Sequence, residues 1–380
     1  MRRLFVLLLS LGMAGSMAGQ AAVARPVDDR RWAVCGEWRQ VPVPDPGAIG
    51  DLHDIAVVSP TEAWAVGALG AEEIREPLVL HWTGLRWERV AFPAGSDDAS
   101  YAALRAVAVV SPHEIWAVGS RSAGGQTARP FTARWLGERW RLVPIGTPAL
   151  RGWLEDVAVI PGTDQLWAVG QAVATRGIPL VLRWNGAGWH RYPVSRAAAG
   201  RSDGLSGIVA FAHSARAVGA SSDAVGSRLL AARFNGRQWR ATLGPPGSAD
   251  AVDGVRPDRL WAAGGVPSDR PGYDRPGIFR WNGANWRWAY TGEGFGRLHD
   301  VVNPAPGVAW AVGDRGESAG LGTVSPLVLH LSPHGWVRDR SPDVQGWFEA
   351  IDGTPHNLWA THMRLVHGGE PTVFDSYHRC

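Results

Sequence analysis

The sequence predicts an all-β protein, a seven-bladed β-propeller built from four-stranded antiparallel blades. Three observations carry that prediction. The 380 residues include 48 glycines and 27 prolines, a density of poor helix formers that excludes a coiled coil or a helical bundle. An apolar run, a short turn and the motif Trp-Ala-Val-Gly recur with a period near 50 residues. The chain also carries 21 tryptophans against 5 tyrosines and 9 phenylalanines, and most of them fall at fixed places in that repeat.

The repeat is read in two parts. Its first half runs Ile55 to Val58 then Trp64 to Gly67, and Val107 to Val110 then Trp116 to Gly119. It recurs at Trp167, Arg216, Trp261, Trp310 and Trp359, with spacings of 52, 51, 49, 45, 49 and 49 residues, making seven copies. Its second half is an apolar strand, a Gly-containing turn and a strand opening with Trp, as in Leu78 to Trp82 then Trp87. Asn185-Gly186, Asn235-Gly236 and Asn282-Gly283 are the dipeptides that tight hairpins prefer, because they accept positive φ. Each unit therefore reads as four short strands. The first two are apolar on consecutive residues, as expected when both faces of a sheet are covered. Seven such sheets packed radially cover one another's faces, which is the propeller arrangement.

Seventeen tryptophans sort into packing positions. Trp64, Trp116, Trp167, Trp261, Trp310 and Trp359 open the Trp-Ala-Val-Gly motif, and Trp82, Trp135, Trp184 and Trp281 end the third strand. Trp87, Trp140, Trp189, Trp239, Trp286, Trp336 and Trp38 open the fourth. Trp38 precedes the first complete repeat, while the seventh repeat ends without a fourth strand. The N-terminal strand is therefore expected to complete blade seven and close the ring. That alignment sets Cys35 against Cys380, the only two cysteines, and predicts a disulfide between them. Across the 345 positions from Cys35 to Cys380, such a link restricts the unfolded chain by roughly 5 kcal/mol.

The first residues read as an export signal. Met1-Arg2-Arg3 is followed by an apolar stretch to about Gly19 and by Ala22-Val23-Ala24, the pattern of a secretory signal peptide. Residues 1–24 are assigned to the signal and 25–380 to the propeller, which makes the expected product secreted and monomeric. No other stretch reaches the roughly 18 apolar residues that a membrane span needs. All 38 basic residues are arginine, set against 35 acidic ones. So nearly balanced a chain lacks the basic stripe of a nucleic-acid binder.

The sequence resembles the Trp-Ala-Val-Gly repeat propellers of secreted actinobacterial proteins and, more distantly, the kelch, galactose-oxidase-like and BNR-type groups. The resemblance covers about residues 32–380 and implies the fold; such propellers include enzymes, lectins and assembly factors. Two positions depart from the repeat. Blade four has Arg216 and Phe234 in place of Trp, and blade seven has His362 in place of Gly.

The candidate site is a polar column. Just before the short apolar run the blades carry His53, Arg105, Glu155, Ser206, Asp250, His299 and Glu349 in turn, and the next column holds Asp54, Asp156 and Asp300. At the start of the innermost strands these residues predict a polar ring at one mouth of the central channel, beneath the longer loops. His53, His299 and Glu349 come from neighbouring blades and suit a divalent metal; the aspartates equally suit capping of turns. Trp153 and Trp347 share the local patterns Gly-Trp-Leu-Glu and Gly-Trp-Phe-Glu beside this ring. Together with Glu155 and Arg105 they are the candidate ligand contacts, since indoles stack on sugar rings and anchor protein partners. The long-loop face is accordingly expected to bind an extracellular glycan, a cell-envelope component or a protein. No zinc helix or sialidase-type motif occurs, and no cofactor is implied. An extracellular carbohydrate-active enzyme using the channel mouth is the alternative, and a structural module of a secreted assembly is a third reading.

Overall fold

Why the motif ends in glycine is explained by the way the first two strands of each blade meet. The computed structural model describes residues 36–380 apart from 46, 72–73, 94–98, 125, 196–200, 317–323 and 366–370. In blade one the innermost strand Gly50–Ser59 pairs with Glu62–Leu69, which pairs with Glu76–Trp82 and then Trp87–Arg89. A Cβ on Gly67 would lie 1.9 Å from the backbone oxygen of Asp51, and one on Gly119 would lie 2.0 Å from that of Ala103. The same clash, at 2.0 to 2.1 Å, awaits a Cβ on Gly170, Gly219, Gly264 or Gly313. The glycine lets the two backbones approach at one point in each of blades one to six. The Asn-Gly hairpins are as expected, with Gly186, Gly236 and Gly283 at φ of 94°, 93° and 96°.

The described residues form seven antiparallel sheets arranged as a β-propeller, with no helix among them. The innermost strands of blades two to seven are Ala99–Ser111, Gly152–Val159, Ser202–Phe211, Ser248–Arg256, Leu298–Ala305 and Trp347–Thr354. In the seventh sheet the strand order outward is Trp347–Thr354, Asn357–Leu365, Pro371–Arg379 and then the N-terminal strand Arg39–Val41. Arg39 stands opposite His378 and Val41 opposite Ser376. Blade four carries an additional short strand, Val194–Ser195, parallel to its outer strand. The hairpins next to the channel mouth stand taller than the sequence suggests. Residues 99–103 begin the strand Ala99–Ser111, and Gly265 and Gly277 lie inside Arg259–Pro267 and Asp274–Trp281. Backbone pairing there runs on beyond the apolar run that marks each strand in the sequence.

The core is divided into seven apolar clusters, one at each blade interface. At three interfaces the second-strand Trp of one blade meets the Trp pair of the next. Trp64 packs on Trp135 and Trp140, Trp116 on Trp184 and Trp189, and Trp359 of blade seven on Trp82 and Trp87 of blade one. Centroid separations of 4.8 to 5.9 Å with tilted or edge-on rings are the geometry aromatic quadrupoles favour. None of the seventeen packing tryptophans is exposed. Blade seven accommodates its departure by burying His362 fully, edge-on to Phe348 and Tyr377. The signal segment, Trp32 and Cys35 lie outside the described residues, so the Cys35–Cys380 pairing stands as an expectation.

Candidate functional site

A β-bulge in every innermost strand builds the site. Pairing with the second strand skips one residue in each blade: between Leu52 and Asp54, Leu104 and Ala106, Leu154 and Asp156, and Leu205 and Gly207. It does so again between Ala249 and Ala251, Leu298 and Asp300, and Phe348 and Ala350. The skipped residues are the seven of the polar column. A bulge frees its residue from the ladder and re-aims its side chain, which is why two consecutive columns line one space. His53, Arg105, Glu155, Ser206, Asp250, His299 and Glu349, with Asp54, Asp156 and Asp300 beside them, surround a cavity of about 280 Å³.

The upper ring is a network of opposite charges. His53 Nδ1 lies 2.6 Å from the Leu104 oxygen, and its Nε2 lies 3.1 Å from Asp51 and 3.2 Å from Arg105. Burial would raise the Asp51 carboxyl, but His53 and Arg75 overcome it and hold it well below the usual carboxylate range. His299 Nε2 is 2.9 Å from Asp314, and its Nδ1 is 3.9 Å from Glu349. Burial alone would lower its pKa; Glu349 and Asp314 reverse that and push it up to about 9, so His299 is a cation at neutral pH. Asp250 is gripped by Arg297 through Nε at 3.1 Å and Nη2 at 2.8 Å. Burial pushes Glu155 upward against the opposing pull of Arg105.

Trp153 and Trp347 hold two of the ring's carboxylates. Trp347 Nε1 donates to Glu349 at 2.7 Å, and Trp153 makes the equivalent bond to Glu155. Residues two apart share one face of a strand, so the Trp-x-Glu spacing sets this bond directly. Both indoles are half-buried at the rim, Trp347 against the cluster between blades seven and one.

Below the ring, the aspartates join blades together. Asp54 accepts the N–H of Ile55 and of Val107 in the next blade, both at 2.8 Å. Asp156 does the same for Val157 and Ile208, and Asp300 for Val301 and Ile351. Two further staples sit one layer deeper: Asp253 bonds Gly254 and Asn303, and Asp352 reaches Val57 of blade one at 2.7 Å. Those two were missed in the sequence because they lie two residues further along, in the blades that carry Ala251 and Ala350 in the column of Asp54, Asp156 and Asp300. Burial raises all five carboxyls, Asp156 to about 7 and Asp352 to about 6; repulsion from Asp300 and Asp156 adds to the rise at Asp54, and from Asp156 and Asp352 to that at Asp300. Asp54, Asp156 and Asp300 lie inside their strands, so these bonds join neighbouring blades rather than cap turns. Among the described residues no three His, Cys, Asp or Glu side chains are grouped to hold a metal ion. Of the metal candidates, His299 and Glu349 face each other, while His53 is engaged by Asp51 and Arg105.

The fold and this mouth define the class of protein: a seven-bladed β-propeller with a ring of bulged polar residues at one end of its channel. No protein-family model matches the chain, and no curated protein sequence matches it either. Among solved structures it is similar to a protein of unknown function from Dyadobacter fermentans, with a TM-score of 0.56 and 9% identity, over 90% of this chain and 99% of that one. It is also similar to the endosialidase of phage phi92, with a TM-score of 0.52 and 11% identity, over 90% of this chain and 69% of that one. At these identities the likeness is one of fold. Among the described residues no helix is long and apolar enough to cross a membrane.

Proposed function

We propose that the protein is a secreted propeller that binds a glycan at the channel mouth. The carrying observation is the bulged ring itself, which brings donors (Arg105, His299, Ser206) and acceptors (Glu155, Asp250, Glu349) around one cavity of about 280 Å³. Sugar hydroxyls donate and accept at once, and mixed, pre-oriented partners suit them better than a site of one charge. The volume, just under the usual range of about 300 to 1,000 Å³ for ligand pockets, suits one saccharide residue. The half-buried indoles of Trp153 and Trp347 flank it and keep Glu155 and Glu349 in place.

The test is a panel of neutral and charged glycans, with cell-envelope fractions, probed with the purified chain alongside Arg105→Ala and Glu349→Gln. The expected result is retention of a glycan by the parent chain and its loss in both variants at an unchanged Tm. Retention of nothing, or equal retention by the variants, overturns the reading. A second reading, carbohydrate hydrolysis, is favoured by the raised Glu155 carboxyl in the same mouth as Glu349, the two-carboxyl requirement of that chemistry. New reducing ends produced by the parent chain and abolished in Glu155→Gln would select it. Secretion rests on residues 1–24 and predicts a culture-medium protein beginning at Arg25. Intact mass with and without reductant, after alkylation, tests the Cys35–Cys380 link.

A further inference from the structure

Blade four breaks the repeat at the position where the other six blades place an indole. In those blades the second-strand Trp lies beneath a third-strand Arg or His of its own sheet. Arg134 is 5.3 Å from the Trp116 ring, Arg183 5.2 Å from Trp167 and Arg280 5.4 Å from Trp261, while His81, His330 and His378 cover Trp64, Trp310 and Trp359. Blade four keeps the cation and loses the ring. Arg216 stands opposite Arg233, which stands opposite Arg240, so three guanidinium-bearing residues run side by side across one face of the sheet.

Blade four also lacks the acid that blades one and two place beside this cation; blades three, five, six and seven carry Gln165, Arg259, Val308 and Asn357 there. In blade two, Glu114 sits 2.8 Å from Arg134, and in blade one Glu62 sits 3.4 Å from His81. The corresponding residue of blade four is Ser214. Arg216 is only 8% exposed, its Nε has no hydrogen-bond partner, and its Nη1 donates to the Ala215 oxygen at 3.1 Å. Burial, and then repulsion from Arg233, lowers its pKa to about 10. A buried cation without a counter-ion is costly, and natural proteins pair such groups.

The space an indole would fill remains open. A cavity of about 610 Å³ lies between blades four and five, bounded by Arg216, Arg233 and Arg240 on one side and the indoles of Trp281 and Trp286 on the other. Among the described residues no carboxylate lines it. The two rings stand 5.7 Å apart at 45°. Guanidinium groups match the fork geometry of carboxylate and sulfate oxygens, and indole faces stack on the apolar face of a pyranose.

We propose that this pocket is a second ligand site, for an acidic saccharide whose carboxylate or sulfate ester meets Arg216 and Arg233 while its ring lies against Trp281 or Trp286. It is separate from the channel mouth and does not depend on that reading.

Isothermal titration with a hyaluronan tetrasaccharide, a chondroitin sulfate tetrasaccharide, neutral maltotetraose and inorganic sulfate tests it. At least one acidic tetrasaccharide binds, maltotetraose does not, and the affinity falls as salt rises. Arg216→Trp restores the residue of the other blades, so it folds with an equal or higher Tm and binds about tenfold or more weakly. Arg233→Gln, at an exposed position, weakens binding without touching the core and guards against misfolding of the first variant. No binding of either acidic tetrasaccharide, or parental affinity in both variants, overturns the proposal. Sulfate binding as tightly as the tetrasaccharides overturns it too, leaving a simple anion site.

Discussion

Replacing Asp156 by asparagine should remove one of five contributions to the pH dependence of stability made by the buried aspartates. The Asp156 carboxyl joins blades three and four by accepting the N–H of Val157 at 2.6 Å and that of Ile208 at 2.7 Å. Burial raises its pKa from 3.8 to about 7, against the pull of those two bonds. The fold therefore holds this proton more tightly than the unfolded chain does. Its stabilisation is complete below the unfolded value of 3.8 and is lost as the pH climbs to about 7. About three pKa units at ~1.36 kcal/mol each make that loss about 4 kcal/mol. Asparagine does not titrate, and its single carbonyl oxygen keeps one of the two N–H bonds, stranding the other at a cost of about 1–3 kcal/mol. Urea unfolding followed by tryptophan fluorescence, from about pH 4 to about pH 8, reads both effects. At the acid end Asp156→Asn is the less stable chain; toward the alkaline end the difference closes or reverses. Parallel curves for the two chains would refute the argument that the staple is a buried, proton-holding carboxyl.

Two further predictions probe the packing and the opposite pH sign. Trp116 is fully buried against Trp184 at 4.8 Å and Trp189 at 5.6 Å, so Trp116→Ala should cost about 3–5 kcal/mol, read as a fall in the urea midpoint at unchanged slope. His362 has its pKa lowered from 6.5 to about 4 by burial, which outweighs the opposing charge of Asp375. It is neutral in the fold, so its contribution is present above pH 6.5 and is lost as the pH falls to about 4, by about 3 kcal/mol. His362→Leu should flatten that acid limb in the same measurement, and an unchanged limb would place the acid sensitivity elsewhere.

Much of the architecture was legible because propeller blades repeat their contacts. Most interfaces take a Trp from one blade and one or two aromatic rings from the next, so the period of the tryptophans carries the blade count and the strand roles. The polar column was legible for a related reason: one polar residue per repeat at a fixed offset, in a chain where apolar runs dominate, stands out without coordinates. Asp253 and Asp352 were hidden because the same staple is made one layer deeper, where two blades carry alanine in the expected column. The break at Arg216 was visible as a missing Trp, but not the space that the missing ring leaves.

Local chemistry therefore determined the seven sheets, their interlocking aromatic edges and which residue types stand at the channel mouth, because these depend on spacing along one strand or one hairpin. Tertiary structure alone decided what those residues face. A bulge in each innermost strand shifts the register by one and turns His53 and its six counterparts inward, and a bulge is a relation between two strands that neither strand's sequence states. The same holds for the aspartate bonds between blades and for the arginine-lined gap between blades four and five. Each is made by residues of different blades, brought together only when neighbouring blades dock.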